Sequence, residues 1–232
     1  MKIFIANWKM ELSLTEQVTY CQDNLEALKK IENKIVLCPS FPALISCAQI
    51  IKDTEIALGA QGCSSHEKGS YTGQVSAQQI AQTGASYIIV GHSEERALGI
   101  TNEEIAQKAL RTIEAGLIPI ICIGESRQAY EKKTTKQVLV AQLAPIKEAV
   151  GNAPAYLAYE PLWAIGSDTY PTLTELHAVF DFLEGHMPSC AYLYGGSVSE
   201  KNIEELTTIK AICGFLIGRK SLNFQEFKKI VS

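Results

Sequence analysis

No stretch of the 232-residue sequence reaches the roughly 18 consecutive apolar residues of a membrane span, so no membrane partner is expected. An excess of one charge is also missing. Lys plus Arg is 21 and Asp plus Glu is 25, a net charge of −4 with no long single-sign run. That balance argues against nucleic acid as a partner. The seven cysteines (21, 38, 47, 63, 122, 190 and 213) are odd in number, scattered, and include no C-x-x-C pair. Neither a zinc knuckle nor a disulfide framework follows, and reduced, mostly buried thiols are expected. No P-loop, G-x-S-x-G elbow, H-E-x-x-H or EF-hand loop occurs, so neither a metal nor an acyl-enzyme is indicated. The first strand-like run starts at Ile3 and leaves no room for a secretory leader, which makes a cytoplasmic location the expectation.

What is present is globular: 47% hydrophobic and 20% charged residues exclude a disordered or fibrous chain. Eight short apolar runs appear at Ile3–Ala6, Ile35–Cys38, Ile56–Gly59, Tyr87–Val90, Ile118–Ile123, Ala155–Tyr159, Ala191–Tyr194 and Phe215–Ile217. They are continuously hydrophobic rather than alternating, as strands buried on both faces of a parallel sheet are. Helix-period segments lie between them. Leu14, Val18, Cys21, Leu25 and Leu28 mark one; Ile105, Ala109 and Ile113 mark a second over Asn102–Ala115, with Gly116 as its stop. Leu173, Leu176, Val179, Phe180 and Leu183 mark a third ending near Gly185, and Pro145 predicts a kink or a shorter helix within Lys136–Val150. Eight units sharing 232 residues have about 29 each, enough for a strand, a helix and two short loops. A single (β/α)8 barrel domain over residues 1–232 fits. The competing open doubly wound sheet usually carries a G-x-G-x-x-G turn, and none is found.

In such barrels the C-terminal strand ends build the active site, and here those ends are polar: Asn7 and Lys9, Gln61, His92-Ser93-Glu94, Glu125, Glu160, Gly195-Gly196-Ser197, and Gly218-Arg219. His92 follows Gly91 at the top of the sheet, a place that suits a structural, hydrogen-bonded histidine as well as a catalytic one. Glu160 precedes the apolar Pro161-Leu162-Trp163-Ala164-Ile165-Gly166, whose side chains would desolvate it and raise its pKa toward that of a general base. A carboxylate paired with Lys or Arg at the barrel mouth reads equally well there. Lys9 shares a period-two spacing with Asn7, although a lone Lys after a strand is usually solvated. The glycine turns at 195–197 and 214–218 are places where backbone N–H groups hold phosphate, or simply where the chain needs glycine geometry.

The strings Ala6-Asn7-Trp8-Lys9-Met10, Val90-Gly91-His92-Ser93-Glu94, Cys122-Ile123-Gly124-Glu125, Ala158-Tyr159-Glu160-Pro161-Leu162-Trp163-Ala164-Ile165-Gly166 and Tyr194-Gly195-Gly196-Ser197-Val198, in this order, closely resemble the triosephosphate isomerase family. The resemblance runs essentially end to end. It implies interconversion of dihydroxyacetone phosphate and glyceraldehyde 3-phosphate through an enediol, on a small phosphorylated three-carbon substrate and without a cofactor. It implies Glu160 as base, His92 as a neutral electrophile, and Lys9 with Asn7 beside the developing oxyanion. The segment Pro161, Leu162, Trp163, Ala164, Ile165, Gly166, Ser167 would be a lid that excludes water. Gly166, Ser197, Gly218 and Arg219 would hold the phosphate. A homodimer is also implied, with Tyr71, Thr72 and Gly73 of the loop at 62–76 inserted beside the neighbour's Asn7 and His92.

Three departures stand out against the family pattern. Asp168-Thr169 replace a Gly and a Lys, which predicts a stiffer or differently paired lid hinge; Arg219 replaces a Gly beside the phosphate. Gln74 and Glu95 replace an acid and an arginine, so the usual interface ion pair is missing. Cys122 reads as a packing thiol. Outside the leading reading stand a non-catalytic phosphosugar-binding barrel and an isomerase of a larger phosphosugar.

Overall fold

The computed structural model describes residues 1–165 and 169–232. Eight strands, β1 Ile3–Asn7, β2 Lys34–Cys38, β3 Ala57–Ala60, β4 Tyr87–Val90, β5 Ile118–Ile123, β6 Tyr156–Tyr159, β7 Ala191–Tyr194 and β8 Ile212–Ile217, follow one another around the barrel. Each pairs in parallel with its neighbours, and β8 returns to β1 through the register Ile3 with Gly214 to Ala6 with Ile217. The sheet is therefore a closed all-parallel barrel, the (β/α)8 architecture expected. β8 begins three residues earlier than its apolar run because Cys213 and Gly214 interrupt the hydrophobic pattern without ending the strand.

The continuous apolar runs are explained by two cores, one on each face of the strands. Ile3, Ile5, Val36, Cys38, Ile89, Ile120, Cys122, Ala158, Leu193 and Leu216 fill the barrel interior. The alternate positions, such as Phe4, Ala6, Leu37, Ile88, Val90, Ile121 and Phe215, face the surrounding helices. The main helices of that outer layer are α1 Leu14–Leu28, α2 Leu44–Ile51, α3 Ala77–Ala81, α4 Ser93–Ala97, α5 Asn102–Glu114, α6 Arg127–Glu131, α7 Thr135–Val150, α8 Leu173–His186, α9 Ile203–Thr207 and α10 Phe224–Val231. Capping boxes at Ser13, Thr101 and Thr172 start α1, α5 and α8, each satisfying first-turn N–H groups.

Two helical expectations change. Leu14 is exposed, while Gln17 and Tyr20 turn inward with Cys21 and Leu28. Gln17 is accommodated because its amide donates to the Leu12 carbonyl (2.7 Å) and accepts from the Ser40 N–H (2.8 Å). Pro145 does not shorten α7, which runs unbroken from Thr135 to Val150. A proline there leaves the Ala141 carbonyl without its helical donor, and Asn102 Nδ2 of α5 supplies one at 3.3 Å. Gly116, with φ 75°, follows α5 as expected, and α8 ends at His186, one residue past Gly185. All seven cysteines are free, and six are buried.

Candidate active site

Polar groups gather at the C-terminal mouth of the barrel, each fixed by the strand that delivers it. At the end of β1, buried Asn7 accepts from the Lys9 N–H through Oδ1 at 3.1 Å. Lys9 has φ 52°, a left-handed conformation that costs a non-glycine residue free energy. Gln61 holds it there: its Nε2 donates to the carbonyls of Lys9 (2.8 Å) and Cys38 (3.0 Å). The ammonium of Lys9 pairs with Glu94 at 2.6 Å and also borders the β8 turn, since a Cβ built on Gly218 would stand 3.7 Å from Nζ.

Beyond β4, Gly91 turns the chain with φ 70° and presents His92, which is buried. His92 Nδ1 accepts the Glu94 N–H at 3.3 Å. An N–H aimed at that nitrogen requires its lone pair, so the neutral ring carries its proton on Nε2. Nε2 lies 3.2 Å from Glu160 Oε1. Burial opposes charge on this ring while Glu160 and Glu94 favour it, and the balance lifts its pKa above the ordinary histidine value.

Glu160 is 2% exposed, at the end of β6. Its backbone donates to Ile123 O at 2.7 Å, and its Oε2 accepts the Ser93 N–H at 3.2 Å. Burial and the nearby Glu160 carboxylate push the Cys122 thiol well above the usual cysteine range. A Cβ at Gly124 would fall 1.9 Å from the Glu160 carbonyl oxygen, so glycine is required for β5 to pass this close. The mouth therefore brings together Asn7, Lys9, His92 and Glu160, four of the residues singled out by sequence.

Glu125, left without a role by sequence, is fully buried and anchors the segment after Glu160. It accepts from Trp163 Nε1 (2.8 Å) and Tyr159 OH (3.0 Å), and its backbone oxygen takes the Leu162 N–H at 3.0 Å. Burial raises its pKa against the pull of those hydrogen bonds. Trp163 also stacks on Tyr130, with ring centroids 4.2 Å apart, and Tyr130 OH reaches Glu175 at 2.7 Å. Pro161 and Ala164 are buried beside them, with Leu162 and Ile165 half-buried. Gly166, Ser167 and Asp168, expected in the lid and its hinge, lie outside the described residues. Thr169 is exposed.

The glycine turns flank this pocket. Gly195 packs on Glu160, where a Cβ would come 2.9 Å from Cγ. Ser197 is half-exposed, and its carbonyl accepts from Asn202 Nδ2 at 3.0 Å. Gly218 leads into a 3-10 turn over Arg219–Ser221, so Arg219 sits on ordinary helical backbone with its side chain exposed.

Sequence reasoning missed Arg96, which donates Nε to Gly91 O (3.0 Å) and Nη2 to Cys122 O (2.9 Å), tying the ends of β4 and β5 together. In the loop at 62–76, Tyr71 is 43% exposed and stacks on His66 at 3.7 Å, while Thr72 and Gly73 are exposed at its tip. Gln74 pairs with Ser64, and Glu95 with Lys108 and the Gly91 N–H, all within the chain. Among the described residues no three His, Cys, Asp or Glu side chains form a metal-binding group, and no helix is long and apolar enough to cross a membrane.

The family model for triosephosphate isomerase matches residues 2–232. The triosephosphate isomerase of Wolbachia sp. subsp. Brugia malayi is 37% identical over 229 residues, covering 99% of this chain and 96% of that protein. Those of Cupriavidus necator and Hahella chejuensis are each 37% identical, covering 99% of this chain and 98% and 97% of theirs. The chain belongs to the triosephosphate isomerase family.

Proposed function

We infer that the protein interconverts dihydroxyacetone phosphate and D-glyceraldehyde 3-phosphate, with Glu160 as the base and His92 as the electrophile. The observation that carries the assignment of these roles is the 3.2 Å approach of His92 Nε2 to Glu160 Oε1 at the mouth of a parallel barrel. A carboxylate and a proton-bearing imidazole nitrogen held side by side match the reaction's two needs, a base at carbon and a donor at oxygen. Glu160 takes the proton from C1 of the ketone, and its electron pair moves into a C1–C2 double bond as negative charge develops on the C2 oxygen. His92 Nε2–H donates to that oxygen, and Lys9 and Asn7 stabilise the charge. Return of the proton to C2, with the C1 hydroxyl proton released through the imidazole, completes the aldehyde. Atoms and electrons balance within the substrate, so no external oxidant is required.

In the arrangement seen, Glu160 is engaged with His92 and the Ser93 N–H. Substrate binding takes over the imidazole donor and frees the carboxylate to face carbon. The Lys9 ion pair with Glu94 is exchangeable, because the Glu94 side chain is 60% exposed and water screens the attraction. Phosphate is held by N–H groups around Ser197, Gly218 and Arg219, with Gly166 contributing from the lid, residues 161–167. The protein's net charge of −4 opposes an anionic substrate, and Lys9 at the mouth makes the local field favourable.

The same reading places residues 1–232 in one domain, in the cytoplasm, serving glycolysis and gluconeogenesis as a homodimer. Exposed Met10 (97%), Leu14, Phe41 and Ile45 on the first two loop-helix connections, with Tyr71 at the tip of the 62–76 loop, support self-association. A coupled assay with glyceraldehyde 3-phosphate, without added nucleotide or metal, tests the activity. Fast turnover that collapses in His92→Gln is expected; a folded wild type without turnover would refute the reading.

A further inference from the structure

The Arg96 guanidinium is oriented by neutral acceptors on three elements. Besides Gly91 O and Cys122 O, its Nη1 donates to Asn102 Oδ1 at 2.8 Å. Asn102 is the first residue of α5, and its other amide atom, Nδ2, donates to Ala141 O on α7. That carbonyl is the one left without a helical donor by Pro145. The two ends of one amide therefore join an irregularity in α7 to the guanidinium beneath the active-site mouth. Aspartate in its place would still accept from Arg96 but would have no hydrogen for Ala141; alanine would serve neither.

We propose that Asn102 is a positioning residue for the isomerisation. Braced by α7, it fixes Arg96, and Arg96 fixes the carbonyls of Gly91 and Cys122. Gly91 immediately precedes His92, and Cys122 immediately precedes Ile123, whose carbonyl takes the Glu160 N–H at 2.7 Å. Loosening Asn102 therefore loosens both partners of the 3.2 Å contact, while the phosphate-holding turns after β7 and β8 stay in place. The proposal rests on the assignment of His92 and Glu160 as the reacting pair.

The test compares Asn102→Ala, Asn102→Asp, Pro145→Ala and the Asn102→Asp/Pro145→Ala double variant, with kcat, KM and the thermal midpoint measured for each. A displacement of ~1 Å costs ~10²-fold in rate, so partial relaxation in Asn102→Ala should lower kcat by about tenfold, with KM within about twofold. Asn102→Asp should restore kcat, since Arg96 keeps its acceptor, yet melt below wild type. Combining Pro145→Ala with Asn102→Asp should remove most of that melting deficit, because residue 145 then supplies the missing N–H to Ala141. If Asn102→Ala does not fold, Asn102→Ser, too short to reach both partners, carries the same expectation for kcat. A kcat within twofold of wild type in the Ala or Ser variant, or Asp as impaired as Ala, would overturn the proposal. An inactive wild type would instead refute the isomerase reading, and the stability coupling between positions 102 and 145 would still report on the brace.

Discussion

Shortening the proposed base by one methylene, Glu160→Asp, is a sharp perturbation because the backbone beneath it cannot move to compensate. The Glu160 N–H is tied to Ile123 O at 2.7 Å, and Gly124 lies so close that a Cβ would fall 1.9 Å from the Glu160 carbonyl oxygen. The carboxylate therefore retracts by nearly the full length of a carbon–carbon bond, ~1.5 Å. A misplacement of ~1 Å costs ~10²-fold, equivalent to about 2.7 kcal/mol of barrier, and this one should cost at least that much. Stability should change far less, by about 1 kcal/mol for one buried methylene. Steady-state kinetics in both directions, alongside urea unfolding, separate the two effects. An aspartate variant that folds and keeps kcat within threefold of wild type would remove Glu160 from the chemistry.

Two further outcomes follow from the same site and surface. The raised pKa of His92 means that native protein holds this proton more tightly than unfolded chain. Its stabilising contribution is therefore full below about pH 6.5, the unfolded value, and is lost as pH rises through the native value. The difference in urea midpoint between wild type and His92→Gln should shrink from pH 5.5 to pH 8.5; a pH-independent difference would contradict the ion pair with Glu160. Met10→Glu places a charge in the proposed interface and should shift sedimentation toward monomer with loss of activity, whereas a fully active monomer at assay concentration would refute the need for dimerisation.

The strands and the candidate site residues are legible in sequence for one reason: each sits where an apolar run stops, and a polar side chain there has no burial role to explain it. His92 and Glu160 follow directly from β4 and β6. Arg96 left no such mark, because its acceptors are backbone carbonyls 5 and 26 residues away, and carbonyl positions have no residue code. Glu125 looked like another polar strand end until Trp163, 38 residues on, supplied its donor. Leu14 fits the helical stripe by spacing yet faces outward, because Gln17 found polar partners in Leu12 and Ser40 and occupied the inner face. Within its own helix Pro145 predicts a kink or an early end, whereas the donor that compensates for it comes from α5. What escaped was every case in which the partner is distant in sequence and not itself a chemically distinctive side chain.

The closure of β8 onto β1 has a consequence for how the protein is made. Ile3 pairs with both Lys34 and Gly214, so the first strand acquires its second neighbour only after most of the chain has been synthesised. Until then the nascent sheet has two open edges, at β1 and at the latest strand formed, and unpaired edges template aggregation. Contacts of such long sequence separation also slow the final step, since the entropy of closing the loop is lost before any pairing compensates for it. Lys9 follows β1, and the Gly218 turn beside its ammonium follows β8. The proposed anion-binding pocket and the last seam of the barrel therefore form together, and ribosome-bound or C-terminally truncated chains lack the site however much of the sheet they have built.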